Sequence, residues 1–546
     1  MGQRIFDELL RLRGLEDEEL RTAFLSPSYE AMSHDPYLLP DMQSAVDRLV
    51  RAHQTQELVY IYGDYDIDGL SATSILLDAF THFGLRVKTF IPNRFVDGYG
   101  LGKRAVEAIA QEGATLIVTV DCGSLSHTEI AYASELGVDV IVTDHHSVAE
   151  TMPPAVATIN PKRTDHKYPF IDLAGCGVAF KLVQAAQRRL PGLPRGQEKW
   201  LLDLVALGTV CDIVSLVDEN RANVYWGLRV LAKTRRPGLK ALAAVAGLDP
   251  DKLNARSLGF VIGPHLNAAG RLETAQLSLD LLTTTDPLQA LETATHLHEL
   301  NVKRRSEQDR IAKEAALLAE QFADDPVLVL SDPGWSHGII GIVAAKMLEQ
   351  FRKPTFVLQE IGAESKGSAR SYGDFSAVEG IRAAERWLTK GGGHKLAAGV
   401  TLPTDHIPQF RQAINEFYRS LQLADQAKHL EPVADLQLTE LAELNLELIE
   451  LLKLLEPYGH GNVEPIFEIS NLSVRDRREM GADKQHLKLR LADAKGQSIE
   501  VVAFNQSQRI LAQPGDKVSV WLQLAENEWR GRRSAEGKLL KVTLEE

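Results

Sequence analysis

Three short stretches set carboxylates and imidazoles at spacings that chemistry uses. They are Gly63-Asp64-Tyr65-Asp66-Ile67-Asp68-Gly69, Val120-Asp121-Cys122-Gly123 and Thr143-Asp144-His145-His146, and each follows a run of β-forming residues. If the chain stays extended through 64–68, side chains two apart share one side, so Asp64, Asp66 and Asp68 converge. Gly69 then permits a tight turn. Carboxylates at this density repel one another, and the relief is protonation or a bound cation. Oxygen ligands with one or two imidazoles suit Mn²⁺ or Mg²⁺, with the histidine favouring Mn²⁺. A shared carboxylate would hold two ions about 3.5–4 Å apart, an arrangement suited to phosphoryl chemistry.

The surrounding pattern must position these groups. The sequence predicts strands over 58–62, 87–91, 115–120 and 138–143, separated by helices over 71–83, 102–112 and 124–136. Strands apolar on both faces and alternating with helices imply a parallel sheet covered by helices. Ligands of such sheets sit outside the carboxyl ends of the strands. Neighbouring parallel strands lie about 4.8 Å apart, so Asp121 and the Asp144-His145 pair can join the same crevice. A buried helix is predicted over 201–213 and a long, increasingly charged one over 287–321, whose polarity suits a connection between domains. A second, smaller α/β region follows, with strands over 327–330 and 355–358 around a helix over 339–351. After Val463 come short strands with intervening turns, which fit a small barrel.

Simpler readings compete. Asp64-x-Asp66-x-Asp68-Gly69 opens like an EF-hand loop, but the twelfth position is Ile75 instead of Glu, and a strand precedes the motif instead of a helix. Any one strand-end Asp is as readily a helix cap. Three Asp at alternate positions together with Asp-His-His are poorly explained by caps. No G-x-G-x-x-G follows the first strand, which disfavours a dinucleotide site.

The motifs resemble the DHH phosphoesterases, named for the triplet seen here as Asp144-His145-His146, and their order resembles the RecJ-like branch. The run continues through Pro92–Gly100, Gly208-Thr-Val-Cys-Asp212, Gly263-Pro-His-Leu-Asn-Ala-Ala-Gly-Arg271, Gly334–Gly341, Gly367-Ser-Ala-Arg-Ser371 and Gly391–Gly399. The resemblance covers roughly residues 20–545. It implies an N-terminal helical cap (1–45), a parallel-sheet α/β DHH catalytic domain (46–285), a connecting helix (286–324), a smaller α/β DHHA1 domain (325–425) and a C-terminal OB-like β-barrel with lead-in helices (426–546). It further implies Asp66, Asp68, Asp121, His145 and Asp212 as ligands of two Mn²⁺ or Mg²⁺ ions, with His146, Asp144 and Asp64 as the catalytic group. Substrate contacts are expected from Arg94, Arg271, Arg370, Ser371, Gly392, Gly393 and His394. His265 departs from the pattern, where Arg is usual. A phosphate contact there would be weaker or pH-dependent. The implied activity is 5′→3′ exonucleolytic hydrolysis of single-stranded DNA to mononucleotides, in DNA repair and recombination. The alternatives are a DHH-type phosphodiesterase on oligonucleotides or small phosphate esters, and an inactive replication scaffold.

Composition bounds these readings. The chain has 546 residues, more than one core supports, and its net charge is −14. That charge argues mildly against nucleic acid as a partner. The segment 471–546, however, holds 14 Lys+Arg against 11 Asp+Glu, about +3, leaving −17 for the rest. Arg475, Arg477, Arg478, Lys484, Lys488 and Arg490, with Phe504, Trp521 and Trp529, offer cations and stacking surfaces for unpaired bases. The three cysteines are too few and too scattered for a disulfide framework or a Cys-type zinc site. The start lacks an apolar signal core and no apolar stretch reaches membrane-spanning length. The expectation is a cytoplasmic monomer with no membrane partner.

Overall fold

The computed structural model describes residues 2–94, 98 and 100–545. The chain forms two compact units: Met1–Gly263 with Leu282–Thr285 and Pro432–Glu546, and Pro264–Leu281 with Asp286–Glu431.

The first unit is built on a parallel sheet of β1 (Leu58–Gly63), β2 (Arg86–Phe90), β3 (Leu116–Val120), β4 (Asp139–Thr143) and β5 (Ala157–Ile159). Their order is β2-β1-β3-β4-β5, every pair parallel. The strands β1, β3 and β4 are buried almost end to end, which is why they read as apolar runs without alternation. The chain order reverses between β1 and β3. Loops leaving neighbouring strands there turn to opposite faces and open a crevice at the carboxyl ends. Asp64 and Asp121 lie directly after those two strands.

The second unit holds a five-stranded sheet of β6 (Leu328–Asp332), β7 (Thr355–Ile361), β8 (Glu364–Arg370), β9 (Lys390–Gly393) and β10 (Ala397–Pro403), in the order β6-β7-β8-β10-β9. Only β6 and β7 are parallel. The helix Pro287–Ala319 starts at the Asp286 cap, whose side chain accepts from Leu288 N. Its 33 residues agree with the long polar helix expected from the sequence.

The tail returns to the first unit. Its strands β11 (Leu436–Leu438), β12 (Phe467–Met480), β13 (His486–Ala492), β14 (Ser498–Ala503), β15 (Lys517–Trp529) and β16 (Arg532–Leu544) form one sheet. Because β12 also pairs with β15, the sheet closes into the expected barrel. The strands β12, β15 and β16 run 13 or 14 residues, longer than the short strands predicted, because ends such as 475–479 and 532–534 are polar and not buried on either face and so show no alternation to read. The N-terminal helix Gly2–Leu12 buries Ile5, Phe6, Leu9 and Leu10 in the barrel's core cluster. Their spacing lines one helical face. Among the described residues no helix is long and apolar enough to cross a membrane.

Arg221, on the helix Asp218–Leu231, ties three regions of this unit together. Its guanidinium is buried and donates to the carbonyls of Phe24 (3.0 Å), Leu455 (3.1 Å) and Glu456 (2.9 Å). It also lies 3.7 Å from the centroid of the Phe24 ring. Burial lowers its pKa to about 10, which leaves it charged at neutral pH. An Arg221→Leu variant removes the donor to the half-buried Phe24 and Glu456 carbonyls at about 1–3 kcal/mol each, while Leu455 O keeps its bond from Asn462 Nδ2. Urea unfolding should show a loss of about 2 kcal/mol or more; an unchanged midpoint would contradict the role given to this residue.

Candidate metal centre

The strand-end carboxylates converge, but not by the route the sequence implied. The chain does not stay extended through 64–68. It turns at Asp66, the N-cap of the helix Ile67–His82, and the Asp66 carboxylate accepts from Asp68 N (2.9 Å) and Gly69 N (3.1 Å). Asp68 therefore stands in the first helical turn, and the helix begins four residues earlier than predicted. Capping and site-building are here the same act: an Asp-x-Asp pair satisfies orphan N–H groups while starting the helix. Gly69 is a close-approach residue and not a turn, since a Cβ there would lie 2.6 Å from the Asp64 carbonyl oxygen.

Two clusters result. One ligand atom each of Asp64, Asp66 and Asp121 lies within 4.8 Å of the others, and so do those of Asp68, His145 and Asp212. Asp121 also groups with His145 and His146, which makes it the carboxylate common to both sides. His145 Nε2 lies 3.1 Å from Asp121 Oδ1, 3.5 Å from Asp212 Oδ2 and 3.8 Å from Asp68 Oδ2. Asp121 adopts a left-handed φ of 59°, a strained conformation for a residue with a side chain and one that collects at functional sites. Asp212 is the C-cap of the helix Leu202–Cys211 and not an interior residue as predicted. A carboxylate at a helix C-terminus opposes the helix dipole, so local stability does not explain it.

Several groups that sequence reading missed hold this arrangement. Gly175 N and Cys176 N, at the start of the helix Gly175–Ala186, donate to the two Asp68 oxygens at 2.6 and 2.9 Å. A Cβ on Gly208 would sit 2.6 Å from Asp68 Oδ1, and one on Gly175 would sit 2.6 Å from Asp121 Oδ1. Only glycine lets these backbones approach the carboxylates so closely. Asp144 accepts from His145 N, His146 N and His146 Nδ1 through Oδ1, and from Ser124 N through Oδ2. With both oxygens engaged it positions His146 instead of reaching into the cluster. Asn160 Nδ2 bridges Ser124 Oγ and the His146 carbonyl, both at 2.9 Å. A Gly-x-Gly at a helix start (Gly175-Cys-Gly177) was the one visible sign of this shell, and it does not say which carboxylate it serves.

Burial raises the pKa of Asp64 to about 8, with Asp66 adding to it, and that of Asp212 to about 8, with Asp68 and Asp66 adding. Burial and four neighbouring carboxylates drive Asp121 well above the usual range, and burial also raises Asp68. Burial lowers His145 to about 4, so it is neutral and able to ligate. Burial also opposes the charge on His146, but the hydrogen bond and charge of Asp144 win and raise it. Burial likewise opposes ionisation of Asp144, and the His146 ring outweighs that and holds it below the ordinary range. Among the described residues, Asp64 Oδ1 and His145 Nε2 are buried with no hydrogen-bond partner. Orphaned donor atoms inside a ring of carboxylates fit a divalent cation with mixed oxygen and imidazole ligands, such as Mn²⁺ or Mg²⁺.

The remaining expected site residues fall in two places. Arg94 stacks on Tyr65, 4.4 Å from its ring centroid, and its charge acts on Asp64. Of the motif 92–100, residues 95–97 and 99 lie outside the described residues. In the second unit, Arg370, Ser371, Gly392, Gly393 and His394 gather at one end of the sheet: Arg370 pairs with Ala397, Gly393 with Ala398, and Ser371 N donates to Leu396 O. Burial lowers the pKa of Arg370, which donates to Ser368 Oγ and to the carbonyl of Ala369 and forms no ion pair with a described carboxylate. Arg271 Nη1 donates to Gly338 O at 3.0 Å. His265 is buried, stacked on His298 with ring nitrogens 3.1 Å apart.

Comparison with known proteins agrees with this geometry. Residues 58–209 match the DHH family, N-terminal domain, residues 324–420 the DHHA1 domain, and residues 434–540 the RecJ OB domain. The chain is 34% identical to the single-stranded-DNA-specific exonuclease RecJ of Haemophilus influenzae, across 97% of this chain and 94% of that one. It is 36% identical to the Bacillus subtilis protein of the same name, of which it spans 66% of the length. The crystal structure of RecJ in complex with Mn²⁺ from Thermus thermophilus superposes with a TM-score of 0.84 at 32% identity, covering 99% of this chain and 76% of that one.

Two outcomes follow from the packing and the protonation. A Gly208→Ala variant should keep its far-UV circular dichroism yet bind Mn²⁺ about 10–100-fold more weakly, because Asp68 must move; unchanged affinity in calorimetry would contradict the packing argument. The second concerns pH. Asp64, Asp212 and His146 hold protons to higher pH folded than unfolded, so between about pH 6.5 and 8 the metal-free protein binds more protons than its unfolded chain. Its stability therefore falls as pH rises through that window. Cations displace those protons, so metal affinity rises over the same window. Thermal unfolding in chelator, and proton release measured by calorimetry in two buffers, check both signs; a flat or rising chelated Tm would refute the protonation pattern.

Proposed function

The chain belongs to the RecJ family of DHH phosphoesterases, and on that premise we propose that it is a metal-dependent exonuclease that degrades single-stranded DNA from the 5′ end to mononucleotides. The observation that carries the reading is the intact cluster of Asp64, Asp66, Asp68, Asp121, His145 and Asp212 at the switch point of the parallel sheet. Asp64, Asp66 and Asp121 would hold one cation, and Asp68, His145 and Asp212 a second, with Asp121 serving both. When bound, the two cations supply an activated water at neutral pH and neutralise charge on the phosphate oxygens.

The chain's own residues do the rest. Asp144 raises the pKa of His146, which favours a proton on the ring, and holds that ring in place through its Nδ1. That proton goes to the departing oxygen, or to a phosphate oxygen as negative charge builds there. Arg94, stacked on Tyr65 beside Asp64, places a fixed cation for a substrate phosphate. Arg370 with the backbone N–H groups around Gly392 and Gly393 forms a separate anion-binding surface, and Arg271 contributes a further cation. The barrel is proposed to bind the unpaired strand. The protein is proposed to act as a cytoplasmic monomer in DNA repair and recombination. An inactive scaffold would have no cause to keep every ligand.

End-labelled single strands, duplex and dinucleotides, offered with Mn²⁺, Mg²⁺ or chelator, test the proposal. The expected result is cleavage of single strands from the 5′ end, with duplex spared and chelator abolishing activity. Equal cleavage of duplex, or activity that survives complete metal removal, would defeat it. Asp121→Ala and His145→Ala should each abolish cleavage while strand binding persists; a fully active variant would refute the ligand assignment.

A further inference from the structure

The residues that follow the metal centre in the first unit carry an exposed aromatic group that the chemistry above leaves unused. Phe260 is 70% exposed, although Leu258 and Ile262 on either side are buried. It rides on a π-helical turn, Leu258–Ile262, a costly local geometry that recurs at functional sites. The turn is clamped to the metal centre's own elements. Cys211, next to Asp212, donates its thiol to Leu258 O at 3.7 Å. A Cβ on Gly263 would lie 2.8 Å from Cys211 Sγ and 3.3 Å from Ile67 Cδ1, so the turn packs between the residues flanking Asp212 and Asp66.

A cation lies over this ring, and a second acts on that cation. Arg256 Cζ lies 5.4 Å from the ring centroid. The same guanidinium acts electrostatically on Glu464 and on Lys538 of β16. Burial, and then Arg256, lowers the Lys538 pKa, and Lys538 donates to Gln523 Oε1 at 3.2 Å. Burial raises Glu464, which interacts with both cations, and so weakens its hold on negative charge. Arg256 and Lys538 thus place two cations at this turn on a chain that is acidic overall.

We propose that Phe260 is a stacking platform for an unpaired base of the strand being degraded, with Arg256 and Lys538 holding the flanking phosphates. This rests on the exonuclease reading above and deepens it. An exposed ring beside cations matches single-stranded nucleic acid, whose bases offer π-faces between phosphates. A duplex keeps its bases stacked on each other and offers none to the ring. The platform thus contributes to single-strand selectivity beside the centre itself.

Binding of a phosphorothioate-linked oligothymidylate in Mn²⁺ tests this without turnover. Phe260→Ala should weaken binding by roughly 5–150-fold, the range of one lost base stack. Phe260→Tyr should restore it, and an abasic strand should bind wild type and Phe260→Ala alike. Arg256→Ala should reduce the slope of log affinity against log salt by about one. Equal affinity of Phe260→Ala and wild type for oligothymidylate, or an equal loss on the abasic strand, overturns the platform. If the unaltered protein neither binds nor cleaves single strands, the exonuclease reading falls and takes this inference with it.

Discussion

Like-charge repulsion among buried carboxylates is the constraint on which the catalytic unit depends. Two charges about 4 Å apart repel by about 4 kcal/mol at an effective dielectric of about 20. Asp64, Asp66, Asp68, Asp121 and Asp212 form several such pairs in one crevice. Without cations the cluster escapes by keeping protons that free carboxylates would shed. With cations the same groups ionise, and repulsion becomes ligation. Such a site has to be held by parts that do not move, and the surrounding fold supplies them: a helix N-terminus on Asp68, glycine backbones against Asp68 and Asp121, and a strained φ at Asp121.

Two adjacent histidines divide the work because their surroundings differ. His145 is buried against carboxylates that can bind metal, and burial keeps it neutral. His146 is more exposed, and Asp144, itself fixed by four N–H donors, raises its pKa and so favours a proton on the ring. One ring is therefore free to ligate a cation and the next is favoured to carry a proton, although they share a side-chain type and a backbone bond. The Asp of the triplet serves this division without joining the cluster.

The same unit joins the C-terminal barrel to the parallel sheet through shared core and buried hydrogen bonds. The N-terminal helix completes the barrel core, and Arg221 fastens the lead-in loop to the catalytic helices. Barrel and sheet are thereby held in one body, with the cationic, aromatic turn at 256–260 next to the metal centre.

The sequence by itself determined the type of sheet, the closure of the tail into a barrel, the long helix and, Asp212 apart, the carboxylates and imidazoles that the structure gathers, because these rest on local signals: apolar runs, periodicity and acidic triplets at strand ends. It misjudged the path through Asp64 to Asp68, since alternation along a strand looks the same in sequence as an N-cap followed by a helical turn. It also set Asp212 inside a helix that in fact ends just before it. Tertiary structure alone decided the strand order that brings Asp64 beside Asp121, the service of Gly175 and Gly208 to particular carboxylates, and the merging of the N-terminal helix with a barrel more than 400 residues away. Those outcomes depend on which distant backbone comes within about 3 Å, a distance that packing sets and that spacing along the chain does not encode.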